Sequence, residues 1–147
     1  MTPEEHRALG IELYNGTWEL LEAGADADDI VDAAHASAFH WRHAAGATAA
    51  NRARSHWLCS RVHAVAGQPE GALHHARRCI ALVEGHSEEM EDWDLAAAHE
   101  ALARAHAAAG EPEEARRHLE LARAETARIA NPKDSKHIEA DLDSIPL

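Results

Sequence analysis

Histidine and cysteine are the residues here with the most capacity for chemistry. The 147-residue chain holds 13 histidines and two cysteines. His56, Cys59 and His63 stand at i, i+3 and i+7, a spacing that puts all three on one face of a helix. His75 and Cys79 follow at i and i+4. If two helices carrying these sets pack against each other, two thiolates and two or three imidazoles converge. That ligand set suits zinc or copper, because soft sulfur and borderline nitrogen favour those ions in near-tetrahedral sites. His99 and His106 repeat the His56 to His63 spacing, so the pattern also predicts a ladder of imidazoles on neighbouring helices. The competing expectation is packing, in which cysteine acts as a small hydrophobe and each histidine needs one hydrogen bond. A redox disulfide between Cys59 and Cys79 is a third possibility, disfavoured in a reducing compartment.

A second histidine group comprises His35, Phe39, His40, Trp41 and His43. His40 and His43 form an i, i+3 pair, but no carboxylate or cysteine stands at matching spacing, so a solvated histidine face is the simpler reading. Catalysis finds little support. There is no glycine-rich phosphate loop, no nucleophile elbow and no zinc-protease helix motif. A general base would need a histidine and a carboxylate brought together by the fold, which spacing alone does not specify.

The elements that must position these residues are helices. Alanine dominates the apolar residues, Tyr14 and Phe39 are the only members of their types, and valine and isoleucine are sparse, which disfavours a sheet. The formal net charge of −12 opposes binding to phosphate backbones and anionic membrane surfaces, so neither nucleic acid nor a membrane is an expected partner. No apolar run approaches the roughly 20 residues of a membrane span, and Met1-Thr2-Pro3-Glu4-Glu5 lacks the basic start of an export signal. With only two cysteines, no disulfide framework is expected, and a cytoplasmic location is the plain expectation.

Caps and breakers divide the chain into seven helices. Thr2-Pro3-Glu4-Glu5 opens the first, which runs to about Glu22. Asp26 and Asp28 cap a second through Ala45, and a third runs from Thr48 to near Gly67. Gln68-Pro69-Glu70 opens a fourth that stops at Gly85, Ser87-Glu88-Glu89 starts a fifth reaching Gly110, and Glu111-Pro112 opens a sixth to about Ala130. Asn131-Pro132 precedes a short last helix. Gly24, Gly67 and Gly110 are spaced 43 residues apart, each at the turn between two helices. The expected architecture is therefore one all-α domain of three hairpins, at about 3–45, 48–85 and 87–130, with a capping helix at about 132–144.

Ala66-Gly67-Gln68-Pro69-Glu70-Gly71-Ala72 aligns with Ala109-Gly110-Glu111-Pro112-Glu113-Glu114-Ala115, and Ala76 and Cys79 align with Leu119 and Ala122. A glycine turn, an acidic or proline-bearing helix start and small residues at these offsets resemble the tetratricopeptide repeat, in a divergent form with lengthened helices. Small residues there let the two helices of a hairpin approach closely. The resemblance is good over about residues 48–130 and weak over 4–45, where Asp29 stands in place of the small alanine.

The resemblance implies a right-handed stack whose first helices line a concave groove. The groove positions carried across are Ile11, Tyr14 and Trp18; then Arg54, Trp57 and Arg61; then Ala97, Glu100 and Arg104. Tryptophan and arginine are enriched at binding surfaces, so a non-catalytic module holding a peptide or protein partner, or a second copy of the chain, is the leading expectation. A zinc- or copper-binding protein is the first alternative, and a small-ligand-binding or enzymatic helical protein the second. The leading reading requires no cofactor.

Overall fold

A computed structural model describes residues 1–147 as seven α-helices and no strand. They are α1 (Pro3–Glu22), α2 (Ala27–Arg42), α3 (Ala49–Val65), α4 (Pro69–Gly85), α5 (Asp94–Ala108), α6 (Pro112–Thr126) and α7 (Pro132–Asp143). No helix is long and apolar enough to cross a membrane. The helix starts follow local chemistry. The Thr2 hydroxyl accepts from the Glu5 amide at 3.1 Å while the Glu5 carboxylate accepts from the Thr2 amide at 2.6 Å, a complete capping box ahead of Pro3. Asn131 caps α7 by accepting from the Lys133 amide.

The three hairpin turns are built alike. Gly24, Gly67 and Gly110 have φ of 64°, 73° and 73°, in the left-handed region that glycine enters without steric cost. After each, the chain closes the helix with a Schellman pair: at the second turn Gly67 N–H donates to the Ala64 carbonyl and Gln68 N–H to that of His63, and Gly110 and Glu111 do the same with Ala107 and His106. The 43-residue period is thus a period of backbone conformation.

Within hairpins, α1 packs on α2, α3 on α4 and α5 on α6; between hairpins, α2 meets α3 and α4 meets α5. Contacts of α3 with both α1 and α5 make the first helices one continuous inner layer, and α7 closes the stack against α5 and α6. Alanine permits this closeness. Ala72, Ala76, Ala96, Ala98, Ala103, Ala105, Ala115 and Ala122 are all fully buried. The main core runs from α3 to α7, and a smaller cluster of Ile30, Ala34, Leu58, Cys59 and Val62 joins α2 to α3.

Three boundaries differ from the expectation, each for a contact the sequence does not announce. Helix α2 ends at Arg42, before Ala45, because the following loop folds back on α1: the Ala45 amide donates to the Pro3 carbonyl and Arg7 donates to the Ala45 carbonyl. Ser87–Glu89 forms a separate 3-10 turn, and α5 begins at Asp94, whose carboxylate accepts from the Glu91 amide at 2.8 Å. Helix α6 stops at Thr126, and Asp92 holds the Ala130 amide beyond it. In the first hairpin Asp29 is exposed while Ile30, Ala34 and Ser37 are buried, so α2 packs one residue out of register with α4 and α6. Close approach is kept by Gly10, where an added Cβ would stand 3.0 Å from Trp41.

Gly67 and Gly16 separate backbone strain from packing, since an added Cβ meets nothing within 4 Å at either. Gly67→Ala should destabilise by about 1–2 kcal/mol through its left-handed φ, whereas Gly16→Ala, inside α1, should stabilise by about 0.5–1 kcal/mol. Urea denaturation of both variants checks the pair of opposite signs.

Candidate functional site

The concave layer is organised round one carboxylate. Glu100 on α5 is fully buried, and its Oε1 accepts from Trp57 Nε1–H at 2.9 Å and from Arg61 Nη2 at 3.0 Å. Its Oε2 accepts from Arg104 Nε at 2.9 Å. Local periodicity explains the set: Trp57 and Arg61 are i, i+4 on α3, Glu100 and Arg104 are i, i+4 on α5, and the two pairs lie one period apart, so stacking brings them face to face. Burial pushes the Glu100 carboxyl upward, but the two guanidiniums outweigh that and hold it below the usual carboxylate range.

The arginines extend the network to α7. Arg61 reaches the Asp141 carboxylate at 3.3 Å, and Arg104 donates to the Asp141 carbonyl and the Ser144 hydroxyl at 2.9 and 2.7 Å. Arg61 also lies over the rings of Trp18 and Trp57, 5.1 and 5.9 Å from their centroids. Above this floor is an open hollow of about 530 Å³ with walls from Tyr14, Trp18, Leu21, Trp57 and Val65, and with His137 and Asp141 at its α7 end. Two polar atoms beside it, Arg61 Nε and Asp141 Oδ2, are buried and make no hydrogen bond, the nearest ionic neighbour of Asp141 Oδ2 being His137 Nε2 at 3.9 Å. A second hollow of about 290 Å³ adjoins it, sharing Tyr14 and lined also by Ile11, Trp41 and Arg54.

The nine groove positions therefore fall into three kinds. Tyr14, Trp18, Arg61 and Arg104 line the larger hollow with part of Trp57, while Ile11 and Arg54 line the smaller. Arg54 is held by Asp94 through two hydrogen bonds of 3.1 and 2.9 Å and stacks over Trp93 at 4.4 Å. Glu100 and Ala97 lie beneath the surface. Trp57 is only 6% exposed, so it belongs mainly to the core. Asp94, His137, Asp141 and Ser144 were missed by the sequence reading. The last three sit on or just after α7, outside the repeats, where no period points to them.

The histidines gather on the other side of α3. The Nδ1 atoms of His56 and His75 face each other at 2.9 Å, and one period later those of His99 and His118 do so at 3.1 Å. His63 stacks on His75 with an interplanar angle of 6°, and His106 on His118 with one of 3°. The ladder is real and repeated, and shifting His75 by one period locates the previously unremarked His118. His35 of α2 joins the second hairpin: its Nε2 stands 2.9 Å from His63 Nε2 and its Nδ1 stands 4.0 Å from Cys59 Sγ.

The two cysteines do not converge. Both thiols are free and buried, Cys59 in the α2–α3 cluster and Cys79 in the main core. Burial raises the Cys59 pKa to about 12 and moves that of Cys79 upward too, so neither is a ready thiolate. The expected mixed cysteine and histidine set is thus divided: His63 and His75 come together with His35, His56 and Cys59 sit behind them, Cys79 is elsewhere, and His99 and His106 pair within the third hairpin. In the second histidine group, His40 meets His6 of α1 at 2.9 Å, and Trp41 is buried against Gly10.

The family model described as the tetratricopeptide repeat matches residues 53–78 and 96–120. The second and third hairpins are TPR-like helical repeats. The two matched segments are corresponding stretches of the second and third hairpins, and the first hairpin, with its shifted α2 register, falls outside them. No curated protein and no solved structure matches the chain. Tetratricopeptide repeats generally mediate protein–protein interaction.

The ladder gives the TPR-like hairpins a pH dependence. Burial, followed by the charge of Arg78, lowers His56 to about 4, and burial, followed by His56, lowers His75 to about 3. Burial and then Arg117 lower His118 to about 4. These rings are neutral in the fold, whereas the unfolded chain takes up protons near the ordinary value of 6.5. Stability should therefore be full above about pH 6.5 and fall as the pH drops towards about 4. Melting curves across this window check it, and replacing His56 and His99 with glutamine should flatten the slope.

Proposed function

We propose that the chain is a non-catalytic binding and scaffolding module that holds a peptide or protein segment in the concave hollow of α1, α3 and α5. The observation that carries this reading is the pair of unpartnered buried atoms, Arg61 Nε as donor and Asp141 Oδ2 as acceptor, beside aromatic walls. A buried polar group without a partner costs about 1–3 kcal/mol. An amide offers one acceptor and one donor and would satisfy both atoms once a small shift of the Arg61 and Asp141 side chains uncovers them, while an apolar side chain of the same segment would cover Tyr14, Trp18 and Leu21.

Charge narrows the partner's chemistry. Glu100 and Asp141 neutralise Arg61 and Arg104 inside the network, so the hollow is no trap for an acidic ligand, and it favours a neutral polar group with an aromatic or aliphatic anchor. The exposed apolar side chains of Val65 and Ile11 lie on the rims of the two hollows and extend the contact surface.

Trp57 makes a poor reporter of binding because removing it opens the core. Val65→Arg and Tyr14→Ala change the hollow itself, and Leu121→Arg on α6 changes an exposed apolar site outside it. Peptides selected from a display library on the intact chain should lose about tenfold or more in affinity for the first two variants and bind the third normally. Selected peptides that ignore Val65→Arg and Tyr14→Ala would rule out the concave hollow as the binding surface.

A further inference from the structure

The geometry points to a transition-metal site, for zinc or copper, formed by the Nε2 atoms of His35, His63 and His75 on three successive helices. One ligand nitrogen from each lies within 4.8 Å of the others. Three imidazoles round a tetrahedral zinc at about 2.0–2.1 Å stand about 3.3 Å apart, so small ring rotations complete the set. His35 Nε2 and His63 Nε2 already face each other at 2.9 Å. Two lone pairs cannot meet at that distance without a proton between them, and a metal ion takes that proton's place.

What lies behind the three rings makes this more than a crowd of histidines. His63 Nδ1 is 2.6 Å from the Gln68 carbonyl oxygen, which fixes the proton on Nδ1 and aims the Nε2 lone pair inward. His75 Nδ1 is engaged by His56 at 2.9 Å, leaving its Nε2 free, and His35 Nδ1 faces the Cys59 thiol at 4.0 Å. Partners on the outer nitrogen are what orient metal-binding histidines. Gly71 leaves the room His63 occupies, since a Cβ there would stand 2.8 Å from its Cγ and Nδ1.

The third hairpin supplies an internal comparison. His106 and His118 occupy the places of His63 and His75, but Glu114 stands in place of Gly71, and its carboxylate is paired with Arg117 at 3.0 Å. Arg117 also lies 3.1 Å from His118 Nε2, the nitrogen a metal would need. The cluster in the second hairpin has no such competitor.

The ligand chemistry selects the ion. The set contains no carboxylate, which disfavours calcium and magnesium, whereas neutral imidazoles suit zinc and copper. His35 and His75 also line a cavity of about 200 Å³ bordered by Arg42, Arg52 and Arg78 and free of carboxylates. Those guanidiniums oppose a dication, which moderates affinity, and they favour an anion as its fourth ligand.

Cobalt(II) titration of the intact chain at neutral pH tests the site, with zinc then added as competitor. The expected result is one cobalt per chain, the visible bands of a tetrahedral ion, and displacement by zinc. His35 is exposed, so His35→Asn keeps the fold and should weaken binding about 100-fold; Gly71→Ala, by turning His63, should weaken it about 10–100-fold. His118→Ala should bind as the parent does. Absence of saturable binding, or binding that His35→Asn leaves unchanged or His118→Ala abolishes, would overturn the proposal.

Discussion

A carboxylate shut away from water sits at the centre of the inner layer, and it is tolerable there only because three donors reach it. Removing one partner from such a buried ionic group typically costs about 3–5 kcal/mol, since the remaining charge is left uncompensated. Glu100 therefore fixes the register of α3 against α5 through Trp57 and Arg61. Arg104 and Arg61 carry the constraint on to α7 through Asp141 and Ser144. The aromatic wall, the hollow above it and the closing helix are all seated on this one group.

The same period is used in two ways on the two sides of α3. On the concave side, equivalent positions hold different residues: Tyr14, Trp57 and Glu100 form one row, and Trp18, Arg61 and Arg104 another. Difference is what lets successive hairpins interact, as an indole donates to a carboxylate and a guanidinium covers an indole. Towards the second helices, the second and third hairpins repeat the same residues, and His56, His63 and His75 return as His99, His106 and His118, while the first hairpin has Leu13, Leu20 and Asp32 at these places. There the second and third hairpins each pair imidazoles with imidazoles, at the cost of keeping the rings unprotonated.

Much of the fold was legible because it depends on short-range chemistry. The capping box at Thr2, the glycines at 24, 67 and 110 and the prolines at 3, 69, 112 and 132 each act over a few residues and mark real boundaries. What failed to show in the sequence depends on distant contacts. Helix α5 starts late because Asp94 is tied to the Glu91 amide and to Arg54, forty residues away on α3. The α2 register slipped by one because Gly10 and Trp41 set the approach of the first pair. At the concave site the resemblance to the tetratricopeptide repeat put Trp18, Trp57, Arg61 and Arg104 on one face, yet it could not reveal that Glu100 lies beneath them or that α7 adds Asp141. Helical spacing put His56, Cys59 and His63 on one side of α3, but the third imidazole came from α2, which no spacing within a hairpin indicates.

The bond from Trp57 to Glu100 is directly observable, because each of the four tryptophans carries one indole N–H. Hydrogen exchange of those protons, followed by NMR at neutral pH, reads how well each is bonded and shielded. The Trp57 indole proton should be the slowest of the four to exchange, and it should lose its protection on Glu100→Gln replacement. A Trp57 indole proton that exchanges as fast as the others would contradict the claim that a buried carboxylate organises the inner layer.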